Sequence, residues 1–145
     1  MTIDAVNETV IDRPPAAVFA FLADAENDPS WRPGVLDIQR VGGNGTGARY
    51  RQGVKGPGGR RIDADIEIVA LEPDRAIGFR TTAGPVRPRG RYELAREGDG
   101  TRVRFSLEAE LRGMKRLMAP MVRKTMASEV AQLANLKRVL EGGGA

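Results

Sequence analysis

The sequence predicts one α+β domain in which an antiparallel sheet lies against a long C-terminal helix. Three observations predict it. Between Val35 and Leu111 apolar residues alternate with polar ones at period two, and turn-forming residues interrupt the pattern at hairpin spacing. From Met114 to Glu141 the apolar residues return at the helical period. The 145 residues, 41% hydrophobic and 29% charged, are enough for one core and too few for two.

The elements follow in order. Ile3 to Asp12 carries Val, Thr and Ile in partial alternation and reads as a strand stopped by Pro14-Pro15. Pro15 suits a first helical turn, and Val18, Phe19 and Leu22 share a face, so a short helix covers 15–23. A second short helix spans Asn27 to Trp31 and ends at Pro33-Gly34. Strands are expected at 35–41, 47–55, 60–71, 76–83, 89–97 and 101–111, separated by Gly-, Pro- and Asp-rich turns. No crossover-length helix follows any of them, so the sheet is antiparallel. In the final helix Met114, Leu117, Met118, Met121, Val122, Met126, Val130, Leu133, Leu136 and Leu140 share one face, and Pro120 inside it predicts a kink or local unwinding near 116–120. Residues 1–141 form the domain and Gly142 to Ala145 a flexible tail.

Side-chain alternation assigns the two faces of the sheet. The more apolar phase contains Ala48, Tyr50, Gln52, Val54, Ile62, Ala64, Ile66, Ile68, Ile77, Phe79, Thr81, Gly90, Tyr92, Leu94, Val103, Phe105, Leu107, Ala109 and Leu111. It holds no Lys, His or carboxylate, and its polar members are Tyr50, Gln52, Thr81 and Tyr92. Such an interior orients a ligand by hydrogen bonds and offers little for proton transfer. A slip of one residue at 60–71 would turn Asp63, Asp65 and Glu67 inward instead. Tyr50 and Tyr92 read equally well as packed core residues. Trp31 is either a packed core residue or a lid at a cavity mouth, and the Met cluster is either core filler or an adaptable ligand surface.

Composition removes whole classes of chemistry. With no Cys there is no disulfide framework, thiolate metal site or Cys nucleophile, and with no His there is neither a Ser-His-Asp triad nor a His-based metal site. No metal and no cofactor is expected. The N-terminal residues lack a secretory pattern and no apolar run approaches the ~20 residues of a membrane span, which places the protein in the cytoplasm. The net charge of +4 and pI near 10.0 raise the question of an acidic partner. Residues 1–31 carry −5, residues 32–112 carry +5 and residues 113–145 carry +4. The excess is spread as single Arg residues, 19 against four Lys, with no basic run longer than two. That pattern describes the wet face of a sheet and argues against nucleic acid, leaving an anionic membrane surface or an acidic protein as secondary partners.

The segments Ile11-Asp12-Arg13-Pro14-Pro15-Ala16-Ala17-Val18-Phe19-Ala20-Phe21-Leu22-Ala23-Asp24, Trp31-Arg32-Pro33-Gly34-Val35 and Leu133-Ala134-Asn135-Leu136-Lys137-Arg138-Val139-Leu140-Glu141 carry a resemblance. So does Gly90-Arg91-Tyr92-Glu93-Leu94 with Gly100-Thr101-Arg102-Val103. Together they resemble the START-like helix-grip superfamily, also called SRPBCC, in its polyketide cyclase/dehydrase-like branch. The resemblance covers residues 3–141. It implies a seven-stranded antiparallel sheet gripping the C-terminal helix, with two short helices after the first strand. It also implies a cavity for a lipid, polyketide or similar apolar molecule, in a bacterial protein. The positions it marks for ligand contact are Trp31, Tyr50, Phe79, Tyr92, Phe105, Leu117, Met118 and Met121, joined from the alternation by Gln52, Ile66 and Thr81.

Three functions compete on these grounds. The first is binding of a small apolar ligand without catalysis. The second is a polyketide cyclase, aromatase or dehydratase in which Tyr50, Tyr92 or Gln52 orients the substrate and Asp63 or Asp65 acts as base. The third is an interaction protein using the Arg-rich sheet face. The chain is either a monomer or a dimer paired through strand edges at 35–41 and 47–55.

Overall fold

The computed structural model describes residues 1–142. Its elements are β1 (Thr2–Ile11), α1 (Pro15–Ala23), a 3-10 segment (Ala25–Ser30), β2 (Val35–Gly42), β3 (Arg49–Lys55), a 3-10 turn (Pro57–Gly59), β4 (Arg61–Asp63), β5 (Ile66–Glu72), β6 (Ala76–Thr81), β7 (Arg89–Glu97) and β8 (Gly100–Glu110). A 3-10 segment (Gly113–Met118), α2 (Ala119–Ala131) and α3 (Leu133–Gly142) complete the chain. The sheet is antiparallel throughout, in the order β1-β8-β7-β6-β5-β3-β2, with β4 paired to β3. This is the helix-grip arrangement: one face of the sheet curves around α2 and α3, which pack against β1 and β8.

The expected phase of the alternation holds. Tyr50, Gln52, Ile66, Ile68, Ile77, Tyr92, Leu94, Val103, Phe105, Leu107 and Leu111 are all buried, while Arg80, Arg91, Arg102 and Arg104 lie on the outer face. At the centre Tyr92 stacks on Phe105 with ring centroids 4.5 Å apart, and Trp31 meets both edge-on at 6.1 and 6.2 Å. Gly90 is what lets Phe79 lie across β7, because a Cβ there would fall 2.2 Å from the Phe79 ring.

Four expectations need correction. The strand at 60–71 is two strands, broken at Ala64 and Asp65. There Asp65 Oδ1 accepts the Gln52 backbone N–H at 3.1 Å and the Asp65 carbonyl accepts from Thr82 N at 2.6 Å, so a side chain replaces part of the ladder. The long rod is not continuous. Residues 113–118 form a 3-10 segment, the local unwinding expected near 116–120, and Pro120 stands in the first turn of α2, where its missing N–H leaves no helical bond unmade. A second break at Gln132 separates α2 from α3. The sheet edges are β1 and β2, so of the two segments expected to pair across a dimer 47–55 is internal and 35–41 lies at an edge. Gly142 closes α3, and the rest of the expected tail, 143–145, lies outside the described residues.

Candidate functional site

A cavity of about 440 Å³ lies between the inner face of the sheet and α2. This is within the range of about 300–1,000 Å³ typical of small-molecule sites. Alternation in β3, β6 and β8 points Gln52, Val54, Phe79, Thr81 and Leu107 into it, and the helical period of α2 supplies Met121, Val122, Thr125, Met126 and Glu129 from above. Pro85, Val86 and Pro88 of the β6–β7 loop close one side, while Lys55 and Asp63 stand among the walls. The walls are mostly carbon.

The deep end is not. Arg32, just after the Ala25–Ser30 segment, is only 7% exposed, and its Nη1 donates to Asp28 Oδ2 at 2.9 Å. Its Nη2 and Nε donate to Glu129 Oε2 at 3.0 and 3.3 Å. Asp28 is 5% exposed and sits behind Arg32, whereas Arg32 and Glu129 reach the cavity wall. Burial raises the Asp28 carboxyl from 3.8 to about 6, against the opposing pull of the Arg32 charge and hydrogen bond, with Glu129 and Asp24 adding to the rise. Burial works against the Arg32 charge too, but Asp28, Tyr92 and Glu129 more than offset it and hold the guanidinium protonated. Burial likewise pushes the Tyr92 phenol up. With both acids ionised the cluster has one positive and two negative charges, so it does not offer an unneutralised cation to a ligand.

What it does offer is acceptors. Gln52 is 3% exposed, and its Nε2 donates to the Ala64 carbonyl at 2.8 Å. That bond fixes which way the amide points, because only the nitrogen can donate to a carbonyl. Gln52 Oε1 is then left buried with no partner among the described residues, as are Tyr92 Oη and Trp31 Nε1. Both Arg32 bonds to Glu129 fall on Oε2, leaving Oε1 free of protein donors among the described residues. A glycine at 34 lets this oxygen approach the chain, since a Cβ there would lie 3.1 Å from it.

The expected site residues divide into three groups. Gln52, Phe79, Thr81, Met118 and Met121 line the cavity. Trp31, Tyr50, Ile66, Tyr92 and Phe105 are buried core residues outside its lining. Trp31, 1% exposed, is packed under the cavity floor and is not a surface lid. Leu117 is 80% exposed and faces away: at 3.6 residues per turn it lies about 160° around the helix axis from Leu133, off the apolar stripe even of a continuous helix, and it falls in the 3-10 segment. The expectation of an interior without ionisable groups is overturned by Asp28, Arg32 and Glu129. Asp63 and Asp65 are not bases in the cavity centre: Asp63 is paired with Arg61 and exposed, and Asp65 Oδ1 is engaged by Gln52 N. Two signals pointed to the missed cluster: the i, i+4 spacing of Asp28 and Arg32, and Glu129 as the single acid between Leu111 and Leu140.

Among the described residues no group of three or more His, Cys, Asp or Glu could hold a metal ion, and no helix is long and apolar enough to cross a membrane. A wider depression of about 540 Å³ crosses the outer face of the sheet beside Gly78 and Gly90. Its charged rim is internally neutralised, with Arg89 paired to Glu108 and Arg104 to Glu8.

Comparison with known proteins follows the same lines. Residues 2–141 match the family model described as polyketide cyclase / dehydrase and lipid transport. No curated protein matches the chain. Among solved structures, a protein of Thermus thermophilus superposes with a TM-score of 0.82 at 23% identity, with 100% of each chain covered. A START superfamily protein from Mycobacterium smegmatis does so at 0.74 and 19% identity, over 96% of this chain and 94% of its own. The Zhui aromatase/cyclase of a Streptomyces species reaches 0.77 at 14% identity, over 99% and 93%. At these identities the likeness is one of fold.

Proposed function

The chain belongs to the polyketide cyclase / dehydrase and lipid transport family, and we propose that it binds a small, largely apolar molecule whose polar end carries a hydrogen-bond donor. The observation that carries this reading is a carbon-walled cavity lined by Gln52 and Glu129, each of which has an Oε1 without a hydrogen-bond donor among the described residues. Burying ligand carbon at about 25 cal/mol per Å² supplies the affinity. A ligand hydroxyl satisfying an orphaned acceptor supplies the selectivity, because a buried group left unmatched is destabilising. A carboxylate gains nothing comparable, since the charge of Arg32 is already neutralised by two acids.

The test is a titration with naphthalene, 2-naphthol and 2-naphthoate, followed by calorimetry or native mass spectrometry. Naphthol is expected to bind about tenfold more tightly than naphthalene, with naphthoate weakest, and Gln52→Met should shrink the naphthol advantage. Uptake of none of the three ends the binding reading. Preference for naphthoate would assign the polar end to Arg32 instead of the acceptors.

A second reading, an enzyme of the cyclase or dehydratase type, is favoured by one observation: Glu129, one of whose carboxylate oxygens has no protein donor among the described residues, lines the cavity, where a base that removes a proton beside a ketone would have to be. Turnover of a poly-β-ketone mimic, abolished by Glu129→Gln, would favour catalysis over simple binding. Binding without turnover leaves the first reading in place.

A further inference from the structure

The mouth of the cavity carries a surface that the binding reading does not use. Met114 and Leu117 on the Gly113–Met118 segment are 84% and 80% exposed, and Met121 in the first turns of α2 is 44% exposed. Three large apolar side chains within eight residues are an unusual exposure for a chain that buries its other methionines and leucines along α2 and α3. Around them stand Arg112, Lys115, Arg116, Arg123 and Lys124, and no acid occurs anywhere from 111 to 128.

These cations differ from those on the sheet. On the outer face Arg61, Arg80, Arg89, Arg91, Arg102 and Arg104 each meet a carboxylate within 4 Å. At the mouth the nearest approach is Arg112 to Glu110 at 3.9 Å, with Arg112 87% exposed. Lys115 and Arg116 donate to the backbone carbonyls of Pro85 and Gly113, and Arg123 and Lys124 have no ion-pair partner among the described residues. The Arg-rich sheet face is therefore largely self-neutralised, whereas residues 112–124 are not.

We propose that this segment docks on an anionic lipid surface, with Met114, Leu117 and Met121 entering the acyl boundary and the flanking Lys and Arg residues meeting the headgroups. The pairing of apolar insertion with unneutralised positive charge is what such a surface selects, and an acidic protein or a nucleic acid would leave the apolar residues without a role. Met121 ties the surface to the cavity, for it is both exposed and part of the wall. Lys115, bonded to Pro85, also fastens the segment to the loop that closes the cavity. Docking there would set the cavity mouth against the membrane, the reservoir from which an apolar ligand would come.

The experiment is co-sedimentation of the full chain with vesicles of phosphatidylcholine alone or with one-third phosphatidylglycerol, across a salt series. Binding is expected only to the anionic vesicles and should fall steeply with salt. Lys115→Gln with Arg116→Gln should lower partitioning about fivefold per residue, and Leu117→Ser about tenfold. All three side chains are exposed, and the fluorescence of the buried Trp31 checks that each variant keeps its fold. No preference for anionic vesicles overturns the proposal. So does binding that Leu117→Ser leaves unchanged, and a polyanion such as RNA retained equally by Leu117→Ser would assign the charge to a different partner.

Discussion

Replacing Arg32 by methionine is expected to destabilise the fold by about 3–5 kcal/mol at neutral pH, the cost of leaving buried carboxylates without their cation. The methionine keeps most of the stem volume, so packing loss is a small part of the effect. Two acids depend on the one guanidinium: Asp28 at 2.9 Å, almost wholly buried, and Glu129 at 3.0 Å, partly so. Their removal in turn should be milder. Asp28→Asn leaves Arg32 with Glu129, and combining it with Arg32→Met should recover part of the deficit, a coupling that a double-mutant cycle in urea reads directly. The deficit should also shrink as pH falls from above neutral toward about 6, because an unpaired Asp28, freed of the Arg32 charge that lowers its pKa, takes up a proton before the parent does. If Arg32→Met unfolds at the same urea concentration as the parent, the cluster is not part of the folding energy at all. A loss that does not vary with pH would point to packing rather than charge.

The parts of this molecule that were legible in the sequence are those set by local periodicity. Tyr92, Phe105 and Ile66 fall on the buried face because side chains in a regular strand alternate, and the charged neighbours then have the outer face to occupy. Periodicity misleads where the backbone changes type. The apolar run from 114 to 140 reads as one helix, and the 3-10 segment with Pro120 at the start of α2 interrupts it; Leu117, about 160° around an ideal helix from Leu133, is off the apolar stripe in either case. A proline in a first turn and one in a helix interior look the same in a sequence. Arg32 and Glu129 were illegible for a different reason. They are 97 residues apart, and each alone reads as a solvated charge. Their burial is tolerated only through one another, a tertiary fact: the i, i+4 spacing of Asp28 and Arg32 and the lone acid Glu129 hint at a buried charge but do not join position 32 to position 129. The chemistry of the cavity therefore turned on the one interaction that no local pattern encodes.

The burial of Asp28 beside Arg32 makes stability depend on pH in the reverse of the usual carboxylate sense. In the unfolded chain Asp28 titrates near 3.8, and in the folded protein near 6. Between those values the folded state holds a proton that the unfolded state has released, so stability should fall as pH rises through this window and level off above it. The full difference is on the order of 2–3 kcal/mol. Asp37, Glu110 and Glu141 work the other way, each held below its ordinary value by hydrogen bonds from Arg61, Thr2 and Lys137 respectively. Their contribution is lost only as pH falls below about 4.5, which leaves the interval between 4.5 and 6 to Asp28. Urea midpoints, followed by the fluorescence of Trp31, should decline across that interval in the parent and stay flat in Asp28→Asn, where nothing can titrate. A parent profile parallel to the variant's would mean that Arg32 keeps Asp28 ionised throughout. The same proton should reach the cavity. Below pH 6 Arg32 and Glu129 balance, and above it the cluster carries a net negative charge, so discrimination against 2-naphthoate should be strongest at neutral pH and relax on acidification.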